Sequence, residues 1–233
     1  ILKLPLRLIH NQIPKGLAKN YNYGIKHSKS RFLLTMHQDM EVIGEDALEK
    51  SMQLLKNDEQ AALVYSSILH PESLMKKYNF WMKVNFSRVI NRPMFFSAGK
   101  FDMLDLNKID LFFNEDIFTH SGEDAGFNIE LRKKGFSILN SDVEVIHNHS
   151  FKADYSFYDY LRKESQLNET YGVLLRNYGF SEFGLKMSIL MLHRLIILIC
   201  FLLPFINIFG FLILVFYSFY FSKKIFVLEI KNP

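Results

Sequence analysis

Along the first third of the chain, short apolar runs alternate with apolar residues at helical spacing. Apolar runs at 6–9, 31–36 and 61–65 predict strands, and the nearly continuous run at 31–36 is typical of a strand buried on both faces. Apolar residues three or four positions apart predict helices around 17–25 and 47–55. This order predicts an α/β layer whose parallel strands are joined by right-handed crossovers.

The pattern is weaker between residues 70 and 150. Residues 94–98 predict a strand ending at Gly99, and residues 105–110 predict a short helix. A helix is predicted over 123–134, because Gly135 is a typical residue to end one. The remaining predicted elements are short strands at 136–139 and 143–146 and a long helix at 155–177.

The carboxy-terminal part is much more apolar. No charged residue occurs between Leu195 and Phe221, and a helix of that length would span about 40 Å, against about 30 Å of bilayer hydrocarbon. The run predicts either one tilted or kinked transmembrane helix or a re-entrant hairpin turning between Pro204 and Gly210. A hairpin would leave the basic residues at both ends on the cytoplasmic side. A buried helix of a soluble protein is the alternative.

Composition narrows the function classes. The net charge of +4 and the pI of about 9.0 suit a membrane surface or a phosphate-bearing substrate. We expect no nucleic-acid partner, because no dense Lys/Arg stripe is present. Cys200 is the single cysteine, so the chain cannot form an internal disulfide, and we interpret Cys200 as a small core or lipid-facing residue.

Asp39 follows the predicted strand at 31–36. Ligands of α/β folds bind at the carboxyl ends of the strands. A carboxylate there can hold Mg²⁺ or Mn²⁺ together with substrate phosphates. The alternative is an ordinary loop aspartate that caps the following helix.

Glu123 and Asp124 begin the helix predicted at 123–134. Carboxylates at this position are stabilised by the helix dipole, which is one interpretation. The other is that one of them takes a proton from an attacking hydroxyl group. Adjacent side chains cannot point the same way, so one would be the base and the other a structural anchor.

Two further groups of residues are candidates for ligand contact. His147 and His149 follow the strand at 143–146, and alternation places both on one side of an extended chain, where imidazoles could bind a metal or a diphosphate. Ser97 and Gly99 are small residues at a strand end, where a ligand can approach the backbone closely. A polar turn and a tight turn are the respective alternatives.

Taken together, these motifs resemble family 2 glycosyltransferases with the GT-A fold, especially the bacterial rhamnosyltransferase-like members. Residues 14–25 look like that family's glycine- and asparagine-bearing helix, and residues 32–39 look like the strand leading into its Asp-x-Asp motif, with His37 replacing the first aspartate. Residues 122–124 and 131–135 look like the family's Glu-Asp motif and its helix.

The resemblance implies a Rossmann-like, GT-A-like mixed sheet flanked by helices, and inverting transfer of a hexosyl or deoxyhexosyl group. The donor would be a nucleotide sugar and the acceptor a hydroxyl group of a glycan or polyprenyl-linked molecule in cell-surface polysaccharide synthesis. Asp39 and His147 would bind a divalent cation, Mg²⁺ or Mn²⁺, and Asp124 would be the base beside Glu123. The donor diphosphate would be bound by Asn20, Asp39, Ser97, Gly99 and His149.

The resemblance also implies a division of the chain. We expect a catalytic domain at 1–150, a helical extension at 151–186, a membrane-associated segment at 187–224 and a tail at 225–233. The apolar segment would keep the catalytic domain on the cytoplasmic side of the cell membrane, in contact with lipid. The family's first strand and base-binding segment have no counterpart here, so we expect the amino-terminal part of the domain to be missing.

Two other functions remain open from the sequence. A nucleotidyltransferase can have a similar α/β layer and metal site. A catalytically degenerate, membrane-tethered transferase-like subunit is favoured slightly by His37 and by the missing front of the domain.

Overall fold

The computed structural model describes residues 16–87, 89–90, 99–118, 121–149 and 154–231. In these ranges the chain forms a five-stranded mixed sheet flanked by helices, as the sequence predicts. The strands are β1 Phe32–Met36, β2 Met40–Val42, β3 Ala61–Leu69, β4 Phe101–Asp105 and β5 Ser137–His147. The predicted strands at 6–9 and 94–98, and with them Ser97, lie outside the described residues.

Seven α-helices occur in the described ranges: α1 Leu17–His27, α2 Ala47–Asn57, α3 Phe80–Phe86, α4 Glu123–Lys133, α5 Phe157–Tyr178, α6 Gly184–Leu202 and α7 Asn207–Lys231. Short 3₁₀ turns span Glu72–Lys77 and Phe180–Glu182. The helices predicted around 17–25, 47–55, 123–134 and 155–177 are confirmed within two residues at their ends. Gly135 follows α4 with a positive φ of 86°, as expected of a residue that ends a helix.

The strand order is β1-β4-β3-β5-β2. Among the described strands, only β3 and β5 pair in parallel, whereas β4 is antiparallel to both β1 and β3, and β2 is antiparallel to β5. Neither β4 nor β2 is among the strands that the sequence predicts. The strands predicted at 31–36 and 61–65, β1 and β3, run in the same direction, but the antiparallel strand β4 lies between them. As a result β1, β3 and β5 end at the same edge of the sheet at which β2 and β4 begin, and we call this the active edge.

The short helix predicted at 105–110 is wrong. Asp105 is instead the last residue of β4 and is fully buried, because its carboxylate pairs with Arg31. A turn follows, in which Asp105 also accepts a hydrogen bond from the backbone N–H of Asn107. A buried carboxylate is stable here only because it is paired, and that pairing depends on β1.

The two short strands predicted at 136–139 and 143–146 form one strand, β5. Its pairing with β3 is irregular near Asp142, which has a positive φ of 56°. At this irregularity Ser141 Oγ donates a hydrogen bond to the carbonyl of Tyr65. The irregularity lets one strand continue where the sequence pattern breaks.

Both faces of β3 are covered. On one face Leu63 packs in a cluster with Phe127 and Leu131 of α4 and Ala18 of α1, and on the other face Val64 packs with Leu55 of α2. This burial explains the continuous apolar run of β3. Because α1 and α4 pack on one face of the sheet, their ends have fixed positions relative to it.

The apolar carboxy-terminal run folds as a helical hairpin. α6 and α7 are joined by a turn at 203–206, and Gly210 of α7 lies so close to Cys200 of α6 that an added Cβ would be 3.0 Å from its Cβ. His193 Nε2 and Tyr217 Oη lie 2.9 Å apart across the same pair. Residues Asn207–Val227 are long and apolar enough to cross a membrane, whereas the apolar part of α6, Met191–Leu202, is shorter.

The hairpin also contacts the rest of the chain. α7 contacts α3, and α6 contacts α5. Arg194 of α6 forms an ion pair with Glu164 of α5. These contacts join the apolar hairpin to α3 and α5.

Candidate active site

Polar and titratable side chains converge at the active edge because strands end or begin there. Met40 pairs with His147 in the β2–β5 ladder, and the backbone N–H of Asn148 donates to the carbonyl of Asp39 at 2.8 Å. These backbone bonds hold the turn before β2 against the end of β5. The side chains brought together are those of Asp39 before β2, His70 after β3, Lys100 before β4, His147 at the end of β5 and His149 two residues beyond.

Asp39, His147 and His149 form a compact group. One ligand atom from each residue lies within 4.8 Å of the other two. Asp39 Oδ2 is 3.0 Å from His147 Nε2 and 3.7 Å from His149 Nδ1. His147 is almost fully buried, while Asp39 and His149 remain partly exposed, so the group is open on one side.

The protonation of this group suits cation binding. Burial lowers the pKa of His147 to about 3 and that of His149 to about 4, so both imidazoles are neutral at pH 7. Burial acts to raise the pKa of Asp39, but the interactions with His147 and His149 outweigh it and lower that pKa. An ionised carboxylate and two neutral imidazoles therefore face one point.

This set of donors fits a divalent cation. Imidazole nitrogens are poor partners for Mg²⁺, which prefers oxygen, and they suit transition-metal ions better. His70 forms a hydrogen bond with the other ring nitrogen of His147, because His70 Nε2 lies 3.2 Å from His147 Nδ1. A hydrogen bond at the second ring nitrogen fixes the tautomer and orientation of a metal-binding imidazole.

His37 is held by other partners. Its Nε2 lies 2.7 Å from Tyr21 Oη, and its backbone N–H donates to the carbonyl of Lys100 at 3.1 Å. Tyr21 Oη also donates to the carbonyl of Gly99 at 2.9 Å, so His37 Nε2 must supply the proton of the first bond. His37 is thus an anchor between α1 and the active edge.

Gly99 occupies a tight turn with φ of +65°. Its N–H donates to Asp102 Oδ2 at 2.9 Å, and an added Cβ would lie 3.0 Å from Tyr21 Oη. Close approach by Tyr21 explains a glycine here, and a role for Gly99 in donor binding stays a prediction. The same holds for Asn20, which is exposed on α1, whereas its neighbour Asn22 is buried and bonded to Phe113.

Glu123 and Asp124 begin α4, as predicted. Glu123 is buried, while Asp124 is partly exposed and lines an indentation shared with Gly99 and Thr35. Burial raises the pKa of both carboxyl groups. Asp124, which is more exposed than Glu123, therefore has the raised proton affinity that a general base needs.

The start of α4 requires a glycine. Gly122 has φ of +102°, and an added Cβ would lie 2.5 Å from Thr170 Cγ2 and 3.0 Å from the ring of Phe118. α5 therefore packs directly against the start of α4. This close contact fixes the position of the first turn of α4, which carries Glu123 and Asp124.

Sequence reasoning missed three residues of the site: Tyr21, His70 and Lys100. Lys100 Nζ lies 3.5 Å from His147 Nδ1, and the largest effect on the Lys100 pKa is burial, which lowers it. His70 is neutral at pH 7, because burial lowers its pKa to about 4. Position along the chain could have identified His70 and Lys100, because each directly adjoins a strand at the active edge.

Comparison with known families agrees with the resemblance. Residues 2–109 match the family model described as Glycosyl transferase family 2, a family that implies the GT-A fold. No curated protein matches the chain. The matched span includes Asp39, His70 and Lys100, whereas Asp124 and His147 lie beyond it.

Proposed function

Because the chain carries a family 2 glycosyltransferase domain, we propose that it is an inverting enzyme that moves a hexosyl or deoxyhexosyl group from a nucleotide-sugar donor to a hydroxyl group. The acceptor is a glycan or a polyprenyl-linked molecule used in cell-surface polysaccharide synthesis. The single observation that carries this proposal is the convergence of Asp39, His147 and His149 at the edge of the sheet where Asp124 begins α4.

Each group has one task in the proposed reaction. A divalent cation held by Asp39, His147 and His149 would supply positive charge to the donor diphosphate. Asp124 accepts the proton of the acceptor hydroxyl as its oxygen attacks the anomeric carbon from the face opposite the leaving group. Glu123, buried beside it, anchors the start of α4. The rigid edge of the sheet orients both substrates.

The apolar hairpin supports a location at the membrane. Most of the apolar side chains of α7 are exposed, as expected of a surface that faces lipid. Lys223 lies near its carboxyl end, and Arg194 lies on α6. We place the catalytic domain, residues 1–150, on the cytoplasmic side of the cell membrane, joined through an extension at 151–186 to the membrane segment at 187–224. There it meets a lipid-linked acceptor.

Turnover of nucleotide sugars tests this proposal. The purified chain in detergent is mixed with Mn²⁺ and a panel of nucleotide sugars, and release of nucleoside diphosphate is measured with and without lipid-linked or glycan acceptors. We expect release that depends on Mn²⁺ and stops when EDTA is added. The anomeric configuration of the product, read by NMR, should be opposite to that of the donor.

The base is tested by Asp124→Asn. This variant should lose at least 100-fold in turnover, because general base catalysis contributes roughly 10²- to 10⁴-fold, while nucleoside diphosphate binding persists. Glu130→Gln on the same helix is the matched control and should keep its activity. Normal turnover by Asp124→Asn would refute the assignment of the base.

A further inference from the structure

Two partly buried lysines of this chain have very different surroundings. Lys108 Nζ donates to the backbone carbonyls of Leu55, Asp58 and Ala61 at 2.7–2.9 Å, and it lies 3.9 Å from the carboxylate of Asp105. Lys108 therefore shows how the fold satisfies a structural ammonium group. Taking a charge out of water is costly unless such partners replace the water.

Lys100 has no comparable set of partners. Among the described residues, the one polar atom within hydrogen-bonding distance of its Nζ is His147 Nδ1, at 3.5 Å, which is longer than an ordinary hydrogen bond. The carboxylates of Asp124 and Asp39 attract its charge from a greater distance. In the part of the chain that the structure describes, its ammonium group therefore has no close counter-ion, and it is attracted both by the candidate base and by the candidate cation site.

Cation binding would remove even this contact. A neutral imidazole carries one N–H, so when His147 Nε2 binds a cation, Nδ1 holds the proton. Nδ1 then donates to His70 Nε2, at 3.2 Å, and cannot accept from Lys100. The ammonium group of Lys100 is then available to an anion at the same edge.

We propose that Lys100 binds a phosphate oxygen of the donor diphosphate, next to the cation held by Asp39, His147 and His149. This inference rests on the proposed function. Lys100 is then a catalytic residue, because it contacts the group that leaves.

The step balances with the groups already named. The acceptor oxygen forms a bond to the anomeric carbon, and the bond from that carbon to the phosphate oxygen breaks. The electron pair of the broken bond stays on the diphosphate, where the charge of Lys100 stabilises it. The proton of the acceptor hydroxyl goes to Asp124.

Binding of inorganic pyrophosphate tests the role of Lys100 without requiring turnover. Calorimetry on the full chain in detergent measures the affinity for Mn²⁺ alone, and then for pyrophosphate in the presence of Mn²⁺. Lys100→Met should weaken pyrophosphate binding at least tenfold and leave Mn²⁺ affinity unchanged or increased. Lys100→Arg should keep pyrophosphate affinity within about threefold, because it retains the charge. Lys108→Met, the matched control, should bind pyrophosphate normally.

The outcomes separate this inference from the proposed function. Pyrophosphate binding that depends on Lys100, in a protein that turns over no nucleotide sugar, would support the anion site and contradict the transferase. Turnover together with equal pyrophosphate affinity in wild type and Lys100→Met would overturn the role of Lys100 alone. Absence of pyrophosphate binding in the wild type overturns it as well.

A second measurement decides the matter if Lys100→Met does not fold. Wild-type protein is treated with an amine-acetylating reagent, and the extent of modification at each lysine is read by mass spectrometry. Pyrophosphate with Mn²⁺ should protect Lys100 severalfold and leave Lys108 unaffected. Equal modification of Lys100 with and without pyrophosphate would overturn the proposal.

Discussion

The two ends of β4 carry similar charged side chains but satisfy them differently. At the carboxyl end, Asp105 accepts three hydrogen bonds from Arg31 at 2.8–3.2 Å, and Lys108 donates to three carbonyls. At the amino end, Lys100 reaches one imidazole nitrogen at 3.5 Å, and His70 Nδ1 is buried without a hydrogen-bond partner in the part of the chain that the structure describes. We call the carboxyl end, with Asp105 and Lys108, the closed end, because its charged groups are paired within the protein. We call the amino end, with Lys100 and the neighbouring His70, the open end, because it retains polar groups that a ligand can bind.

This difference gives a physical criterion for a site. Buried polar groups are normally hydrogen-bonded, so a cluster that is incompletely paired points to a bound partner. Such departures from local consistency are expected at functional sites. The closed end should therefore contribute to stability, and the open end should contribute to binding and turnover.

The largest effect is expected from the open end. Asp39→Asn removes the charged oxygen ligand of the Asp39, His147 and His149 group and should abolish detectable Mn²⁺ binding and reduce turnover by at least 100-fold. Thermal stability should change little, because Asp39 is partly exposed. Metal binding is measured by electron paramagnetic resonance of free Mn²⁺. Unchanged Mn²⁺ affinity in this variant would contradict the assignment of Asp39, His147 and His149 as a metal site.

The opposite result is expected at the closed end. Asp105→Asn removes the ionic partner of Arg31 and weakens the hydrogen bonds that the buried carboxylate accepts. It should cost about 1–2 kcal/mol of unfolding free energy, because the Arg31 charge left behind is 43% exposed and remains hydrated. Mn²⁺ and pyrophosphate affinities of the folded fraction should stay at wild-type values. Denaturant unfolding and calorimetry on the same samples test both statements. Loss of pyrophosphate affinity without loss of stability would show that the two ends are not separate.

The sequence predicted the frame of the fold and part of the open end. Spacing identified α1, α2 and α4, and the rule that ligands bind where strands end correctly brought Asp39 and His147 together. His149 joins them because it lies two residues beyond His147 on the same side of the chain. These predictions succeeded because each depends on a local pattern or on strand direction. The roles of these residues stay predictions.

The missed features depend on contacts distant in sequence. β4 contains two aspartates and looks unlike a strand, but Asp105 becomes compatible with burial once Arg31 is beside it. Lys100 reaches the active edge only because β4 runs antiparallel to its neighbours. His70 reaches it because β3 extends to Leu69, four residues beyond the predicted end. Spacing along the chain encodes none of these pairings.

Acid should weaken the fold through the open end. The pKa of His70 is lowered to about 4 by burial, so between pH 6.5 and 4 the unfolded chain binds a proton that the folded chain does not. The contribution of the neutral His70 imidazole to the unfolding free energy is fully present above pH 6.5, and it is lost as the pH falls toward 4. Its size is on the order of 3 kcal/mol. His70→Phe should have a smaller dependence of unfolding free energy on pH in this range. An unchanged pH dependence would contradict this prediction.

The smallest effect expected concerns metal affinity. His70→Phe removes the hydrogen bond to His147 Nδ1 and should weaken Mn²⁺ binding about tenfold, because the group behind a metal-binding imidazole fixes its tautomer. His70→Gln, which offers a side-chain amide near the same position, should recover part of the affinity. Both variants keep Asp39, His147 and His149, so any loss acts through orientation. Equal Mn²⁺ affinity in wild type and His70→Phe would mean that Lys100 or the backbone alone orients His147. His70 would then have no part in metal binding.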